Sequence, residues 1–403
     1  MKSRFAVCLP LFVSLIMPFT IIAQDGGADW DGILYDRSIN TITTAVPFLM
    51  IAPDARAGAL GDAGVSSSPD INSMHWNPAK YAFLDDDMGF ALNYTPWLRS
   101  LVPDINLSYL TGYRRIDDLQ TVAFSLKYFT LGEVNFTDNE GFSLGSAKPN
   151  EFSIDVAYAR RLGDFISGAI TGRFIYSDLT QGSIEGAQAG VAFAADVAVY
   201  YERPIEWERT PATLAWGANI SNIGNKITYT EDVNADFIPI NLRIGPRITF
   251  DLDNFNQLSF MVDFNKLLVP TPPIFERDSL GNLIPDGDGY VIREGRDPNR
   301  SVVAGMLGSF TDAPGGFREE LNEITISAGA EYWYDQQFAI RAGYFHEHES
   351  KGNRKYFTVG VGLRYNVFGL DFAYVIPVAQ RSPLENVLRF SLSFDLEGFR
   401  GNG

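Results

Sequence analysis

The 403-residue chain carries 49 acidic side chains against 32 basic ones, a net charge of −17, with one cysteine and three histidines. A surface of that sign argues against nucleic acid or a bare anionic membrane face as a partner. The lone cysteine excludes a disulfide framework and a cysteine-built metal site.

At the start, Lys2 and Arg4 precede the apolar run Phe5–Ile22, which ends at Ala23 before the polar DGGADWDG. That order predicts a secretory signal peptide over 1–23, with a retained membrane helix as the other reading. Cys8 lies in this leader, so the processed chain has no thiol for catalysis.

Residues 24–85 show no strand pattern. Gly58, Gly61 and Gly64 precede a Ser/Pro/Asp run and then Asn77, Pro78 and Ala79. Glycines permit close backbone approach and positive φ, so this stretch reads as a tightly turned plug, or hatch, in the lumen of a barrel. Ala45–Ala52 reads as a buried anchor within it. The alternative is a small extension lying across the periplasmic rim.

From 86 onward the hydrophobic period is two. In Asn241–Asp251, Leu242, Ile244, Ile248 and Phe250 alternate with Arg243, Arg247 and Asp251; Phe357–Tyr365 and Leu388–Leu396 repeat the split. Such strands have one apolar and one polar side. Fourteen are predicted, near 86–94, 105–114, 119–131, 151–161, 164–176, 187–200, 212–221, 237–251, 256–268, 323–334, 337–347, 353–366, 369–376 and 386–396.

Their connections alternate between short and long, as in a transmembrane barrel with turns on the periplasmic rim and loops outside. No later stretch is apolar for the roughly twenty residues a spanning helix needs. The predicted fold is therefore all-β: a 14-stranded antiparallel transmembrane β-barrel over 86–396, with the plug at 24–85 and a short C-terminal tail at 397–403. Tyr94, Trp97, Tyr113, Tyr200, Tyr201, Trp207, Tyr332, Trp333 and Tyr334 cluster near strand ends, where rings favour the membrane interface. Inward charges such as Arg243, Arg247, Asp251, Asp263, Arg364, Arg389 and Asp395 have to be paired or wet.

The connection 269–322 is long enough to be functional. Within it, Ser301–Phe310 reads as a short helix or a non-spanning strand, and Asp286–Tyr290 as a Gly-Asp turn whose acidic ladder is incomplete for calcium. Tyr201–Arg209 reads as the longest inner turn. Trp97, Leu98, Leu101 and Val102, together with Asp286 and Tyr290, form the expected partner surface, because exposed aromatic and aliphatic groups anchor interfaces; the other reading of the first four puts Trp97 in the outer aromatic belt and the rest in lipid. His346 and His348 lack the further ligands a metal site requires, and His75, His346 and His348 sit in no nucleophile motif. No catalytic residue, metal ligand or cofactor is expected.

Four stretches carry a family resemblance: ARAGALGDAG at Ala55–Gly64, HWNPA at His75–Ala79, WLRSLVPDINLSYL at Trp97–Leu110 and GSFTDAPGG at Gly308–Gly316. With them the chain resembles the fatty-acid-transporter-like outer-membrane barrels, and most of all the type IX secretion barrels among them. The likeness runs over essentially the whole processed chain, and Asn77, Pro78 and Ala79 match the family's hatch motif.

The resemblance implies a non-enzymatic carrier. Its cargo would be secreted proteins bearing a C-terminal signal domain, taken from the type IX translocon barrel to a cell-surface attachment complex with a sortase-like subunit. That complex joins cargo to anionic lipopolysaccharide, in an outer membrane whose lipid surrounds the barrel. The long loops would be extracellular and both termini periplasmic. The alternatives are a channel for hydrophobic small molecules and a porin-like structural protein.

Overall fold

The computed structural model describes residues 39–396 apart from 99–101, 103, 138–141, 183–185, 231–234, 288 and 380–381. The expected leader, the first part of the N-terminal segment, Leu101 and the tail at 397–403 lie outside the described residues.

Alternation along the sequence closes into a ring. Fourteen antiparallel strands form one barrel: β1 Met88–Pro96, β2 Asn106–Arg115, β3 Gln120–Thr130, β4 Asn150–Arg161, β5 Ile166–Asp178, β6 Gly190–Trp207, β7 Thr210–Gly224, β8 Asn241–Asp251, β9 Asn256–Leu267, β10 Thr325–Tyr334, β11 Phe338–His346, β12 Lys355–Tyr365, β13 Phe368–Pro377 and β14 Leu388–Leu396. Each pairs with its sequence neighbours, and β1 pairs with β14 from Met88↔Leu396 to Tyr94↔Phe390 to shut the circle.

The two faces of β3 show the logic. Val122, Phe124, Leu126 and Tyr128 point out and are exposed, while Ala123, Ser125, Lys127 and Phe129 are buried inside. A closed ring leaves no unpaired sheet edge, which is what allows strands to stand in lipid. No helix among the described residues is long and apolar enough to cross a membrane.

One rim carries tight turns and the other carries loops. At the turn between β6 and β7, Glu208 and Arg209 take φ of 48° and 75°, the left-handed pair that a two-residue hairpin of matching twist requires. This corrects the expectation of a long inner turn at Tyr201–Arg209: pairing runs on to Trp207↔Thr210. Charges at Glu202, Arg203 and Glu206 resemble a loop, but a ribbon extending past the apolar band has no need of a greasy face.

The aromatic belt also needs correcting. Tyr94, Trp207 and Tyr334 are exposed on the outside, whereas Tyr113 and Tyr200 are buried. Trp333 lies beneath the guanidinium groups of Arg341 and Arg364, 5.2 and 5.6 Å from its ring centre.

In the long connection, Ile274–Phe275 pairs with Ile292–Glu294, and Pro285–Asp286 with Gly289–Tyr290 around Gly287 at φ 56°. Ser301–Phe310 holds a helix, Val302–Gly308, with Ser301 as its cap. A second helix, Phe317–Asn322, follows.

Before the barrel, the described N-terminal stretch forms short turns: 3-10 segments at Pro47–Met50 and Pro78–Phe83 and α-turns at Ala55–Gly58 and Ser73–Trp76. The Asp54 carboxylate accepts the Ala57 N–H at 2.8 Å. Asn77 Oδ1 accepts the Ala79 N–H at 3.0 Å, and Pro78 starts the next turn with φ already set.

Candidate functional site

The polar faces of the strands bind the N-terminal stretch through fixed ionic and backbone contacts. Glu331 on β10 accepts Nε and Nη2 of Arg56 at 3.0 and 2.7 Å, and Nε of Arg341 at 2.6 Å. Arg56 also reaches Asp70 at 2.8 Å, and Arg341 reaches Asp371 at 2.7 Å. Each of these four buried or half-buried side chains around Glu331 thus has a partner of opposite sign, which is the condition for keeping it. Asp62 does the same between Arg389 and the Tyr356 hydroxyl, both at 2.6 Å.

Backbone groups of the stretch are satisfied by wall side chains. One oxygen of Asp263 accepts the N–H groups of Gly64 and Val65 at 2.7 and 2.8 Å. Thr358 takes the Gly61 N–H and gives its hydroxyl to Ala59. Ser391 accepts from Ala55, Ser167 donates to the Ala79 carbonyl, and Asn219 donates to the Trp76 carbonyl. Irregular backbone buried away from water is tolerable only when so paired.

Two glycines set the spacing. Gly61 has φ 71° and abuts the Tyr344 backbone; a Cβ there would stand 2.6 Å from the Tyr344 nitrogen. Opposite, a Cβ on Gly343 would collide with the Gly61 nitrogen and the Leu60 carbonyl carbon. Gly58 lies against Arg389 and Gly64 against the Trp76 ring. Asn77 donates to the Val65 and Val199 carbonyls at 3.0 Å each, and Ala79 is buried among them. The predicted Gly58, Gly61, Gly64, Asn77, Pro78 and Ala79 therefore belong to one buried, hydrogen-bonded assembly.

The predicted partner residues do not form one patch. Trp97 is half-buried, packed against the loop-rim clusters that include Phe345, Tyr356 and Val387. Leu98 and Val102 are half-buried beside it, with the Val102 N–H on the Leu98 carbonyl at 3.2 Å. Asp286 and Tyr290 are exposed on the separate small hairpin. The His348 ring nitrogen accepts the Ser350 N–H at 3.2 Å, and His346 lies 3.5 Å from the Tyr344 hydroxyl. No metal-binding cluster of three His, Cys, Asp or Glu side chains occurs among the described residues.

Sequence reasoning missed an ionic lock at the loop rim and the apolar surface next to it. Lys266 bridges Glu320 and Glu323 at 2.9 and 2.6 Å, and Lys351 bridges Glu319 and Glu323 at 2.6 and 3.0 Å. Burial opposes the charge of Glu319, but the Lys351 hydrogen bond and neighbouring donors hold its carboxyl below the usual carboxylate value. Its contribution is complete above that usual value and is lost as pH falls through the lowered one. Phe317 and Leu321 stand out from the helix that carries Glu319 and Glu320, and Val303 and Leu307 from the helix before it. Their spacing within a helix was the available signal.

A closed, even-stranded antiparallel barrel with an apolar outside and a polar, charge-paired inside defines an outer-membrane β-barrel protein. Within that class the chain belongs to the PorV family: the family described as "Type IX secretion system protein PorV" matches residues 35–274. No curated protein is similar to it in sequence.

Among solved structures it is similar to a deltaS2S3 mutant of the TodX monoaromatic hydrocarbon channel, at 12% identity, covering 85% of this chain and 99% of that one, TM-score 0.48. It is also similar to a Pseudomonas aeruginosa FadL homologue, at 11%, covering 88% and 99%, TM-score 0.44. The CymD monoaromatic hydrocarbon channel is similar at 13%, covering 88% and 100%, TM-score 0.46. The chain is an outer-membrane, non-enzymatic component of type IX secretion.

Proposed function

We propose that the protein carries secreted cargo, held by its C-terminal signal domain, from the type IX translocon to the cell-surface attachment complex. The observation that carries this reading is membership of the PorV family. Cleavage and ligation belong to the sortase-like subunit of that complex, and this chain supplies binding. Its long loops face outward and its last strand ends on the periplasmic rim, an orientation supported by the segregation of turns and loops onto opposite rims; the described chain starts at the loop rim, where Asn40 bonds Ser350 and Pro272.

The 24–85 segment, described from residue 39, is proposed as the plug. The ring of hydrogen bonds from wall strands to the 55–83 backbone supports that role. With the lumen occupied, recognition falls to the loop rim. The 269–322 loop, with Asp286, Tyr290 and the apolar helix faces at Leu307 and Phe317, is the proposed contact region; Trp97, Leu98, Leu101 and Val102 on the β1–β2 connection are proposed as a second one, with Trp97 packed on the loop-rim cluster.

Replacing 269–322 with a short Gly-Ser linker is expected to leave a heat-modifiable, inserted barrel and to cut cargo co-purification at least ~10-fold, the scale on which losing hot-spot contacts acts. Retention of every partner at normal stoichiometry would remove the loop from the recognition surface.

A further inference from the structure

Toward the loop rim, a cavity of about 410 Å³ lies between the N-terminal stretch and strands β8 to β12. Its wall includes Ile42, Met50, Trp76, Leu267 and Phe345. Arg243 also faces it, only 5% exposed. Arg56, Arg173, Arg247, Arg341 and Arg389 each reach a carboxylate, yet Arg243 has none within ion-pair distance among the described residues.

The Arg243 side chain donates Nε to Asn265 at 2.7 Å and Nη1 to the His75 carbonyl at 3.2 Å, and it rests on the Trp76 ring, 4.7 Å from its centre. Those contacts aim the guanidinium but use two of its five N–H donors. The acids on the same wall are engaged elsewhere: Asp62 with Arg389, Glu323 with Lys266 and Lys351, Glu347 with Arg354.

Two further groups are unsatisfied on this wall. Asn241, two residues along the same strand face, is 1% exposed, and neither its amide nitrogen nor its oxygen has a partner among the described residues. The Ser327 hydroxyl, fully buried, has none either. Buried Asp263 is the nearest opposing charge to Arg243 but lies beyond ion-pair distance; a buried cation so loosely matched and an amide lacking both bonds are each costly.

We propose that this cavity is a binding site for the C-terminal residue of a polypeptide. Its free carboxylate pairs with the Arg243 fork, a geometry guanidinium is built for. The adjoining peptide N–H gives its hydrogen to Asn241 Oδ1, while Asn241 Nδ2 and Ser327 donate to the carboxylate. A bare organic acid satisfies Arg243 but leaves Asn241 Oδ1 unpaired, which is why a carboxylate next to an amide is the better fit. The carrier reading decides which polypeptide arrives; the site's chemistry does not depend on it.

Calorimetry on the full-length, detergent-solubilised protein tests this with N-acetyl-trialanine as free acid, the same peptide amidated, and benzoate. The acid binds; the amide, and the acid on Arg243→Gln, bind at least ~10-fold more weakly, the loss expected for a charge-assisted pair. Benzoate binds more weakly than the peptide acid. Asn241→Asp places a carboxylate beside Arg243, so it loses peptide binding while heat-modifiable migration stays intact, which separates occupancy from misfolding.

No heat from the acid at millimolar concentration, or equal binding of acid and amide, overturns the site. Equal binding of benzoate and the peptide acid reassigns it to free organic acids. Peptide binding in a protein that captures no signal-bearing cargo sinks the carrier reading and leaves this site standing. Cargo capture without peptide binding does the reverse.

Discussion

Replacing Glu331 with alanine is expected to destabilise the folded barrel by about 3–5 kcal/mol, the cost of breaking a buried ion pair from one side. The change strips a carboxylate from Arg56 and Arg341 at once, both buried where water cannot replace it. Glu331→Gln keeps an acceptor and is expected to cost less. Urea unfolding in lipid vesicles reads the difference; a Glu331→Ala barrel as stable as the parent would mean that the charge chain is ornamental to stability.

Enlarging Gly343 to leucine is expected to have the largest effect on permeability. The strand itself gains from losing a glycine, which is a poor strand former, so the barrel should still assemble. The new side chain occupies the space of the Gly61 nitrogen and Leu60, and in the proposed plug that displacement opens a water path, read as a step up in conductance across planar bilayers. Gly172→Leu is the control, because a Cβ there meets nothing within 4 Å among the described residues and conductance should stay at the parental level. Equal conductance of Gly343→Leu and the parent, with insertion confirmed, would show that the N-terminal segment does not seal the lumen.

The ring of strands was legible because lipid on one side and polar contents on the other impose a period of two. All fourteen strands occur where that period predicts them, with ends displaced by about four residues or fewer except at β6, which runs on to Trp207. The period fails where lipid ends. Past the apolar band Glu202, Arg203 and Glu206 continue as paired ribbon, because backbone pairing persists after the apolar face is no longer required. Composition near strand ends likewise does not say which face an aromatic takes, and Tyr113, Tyr200 and Trp333 turn away from the belt that their positions suggest.

The N-terminal motif was readable as backbone. Glycine spacing and Asn77 with Pro78 announce tight turns, and those turns are present. Its partners were not readable. Glu331 lies 275 positions from Arg56, and Asp263 lies 199 from Gly64, and nothing local marks which inward charge meets which. Inward charges have to be paired or wet, and Arg247, Arg364 and Arg389 are paired. Arg243 is instead without a carboxylate at ion-pair distance among the described residues and faces a cavity, which is what singles that cavity out.

The most direct test of the central claim is to delete the gene in its host and follow proteins bearing a C-terminal signal domain between periplasm and cell surface. The carrier account predicts that they accumulate inside with the signal domain still attached, and that restoring the full-length chain returns them to the surface. Unchanged surface display, accompanied by reduced uptake of a hydrophobic small molecule, would contradict it.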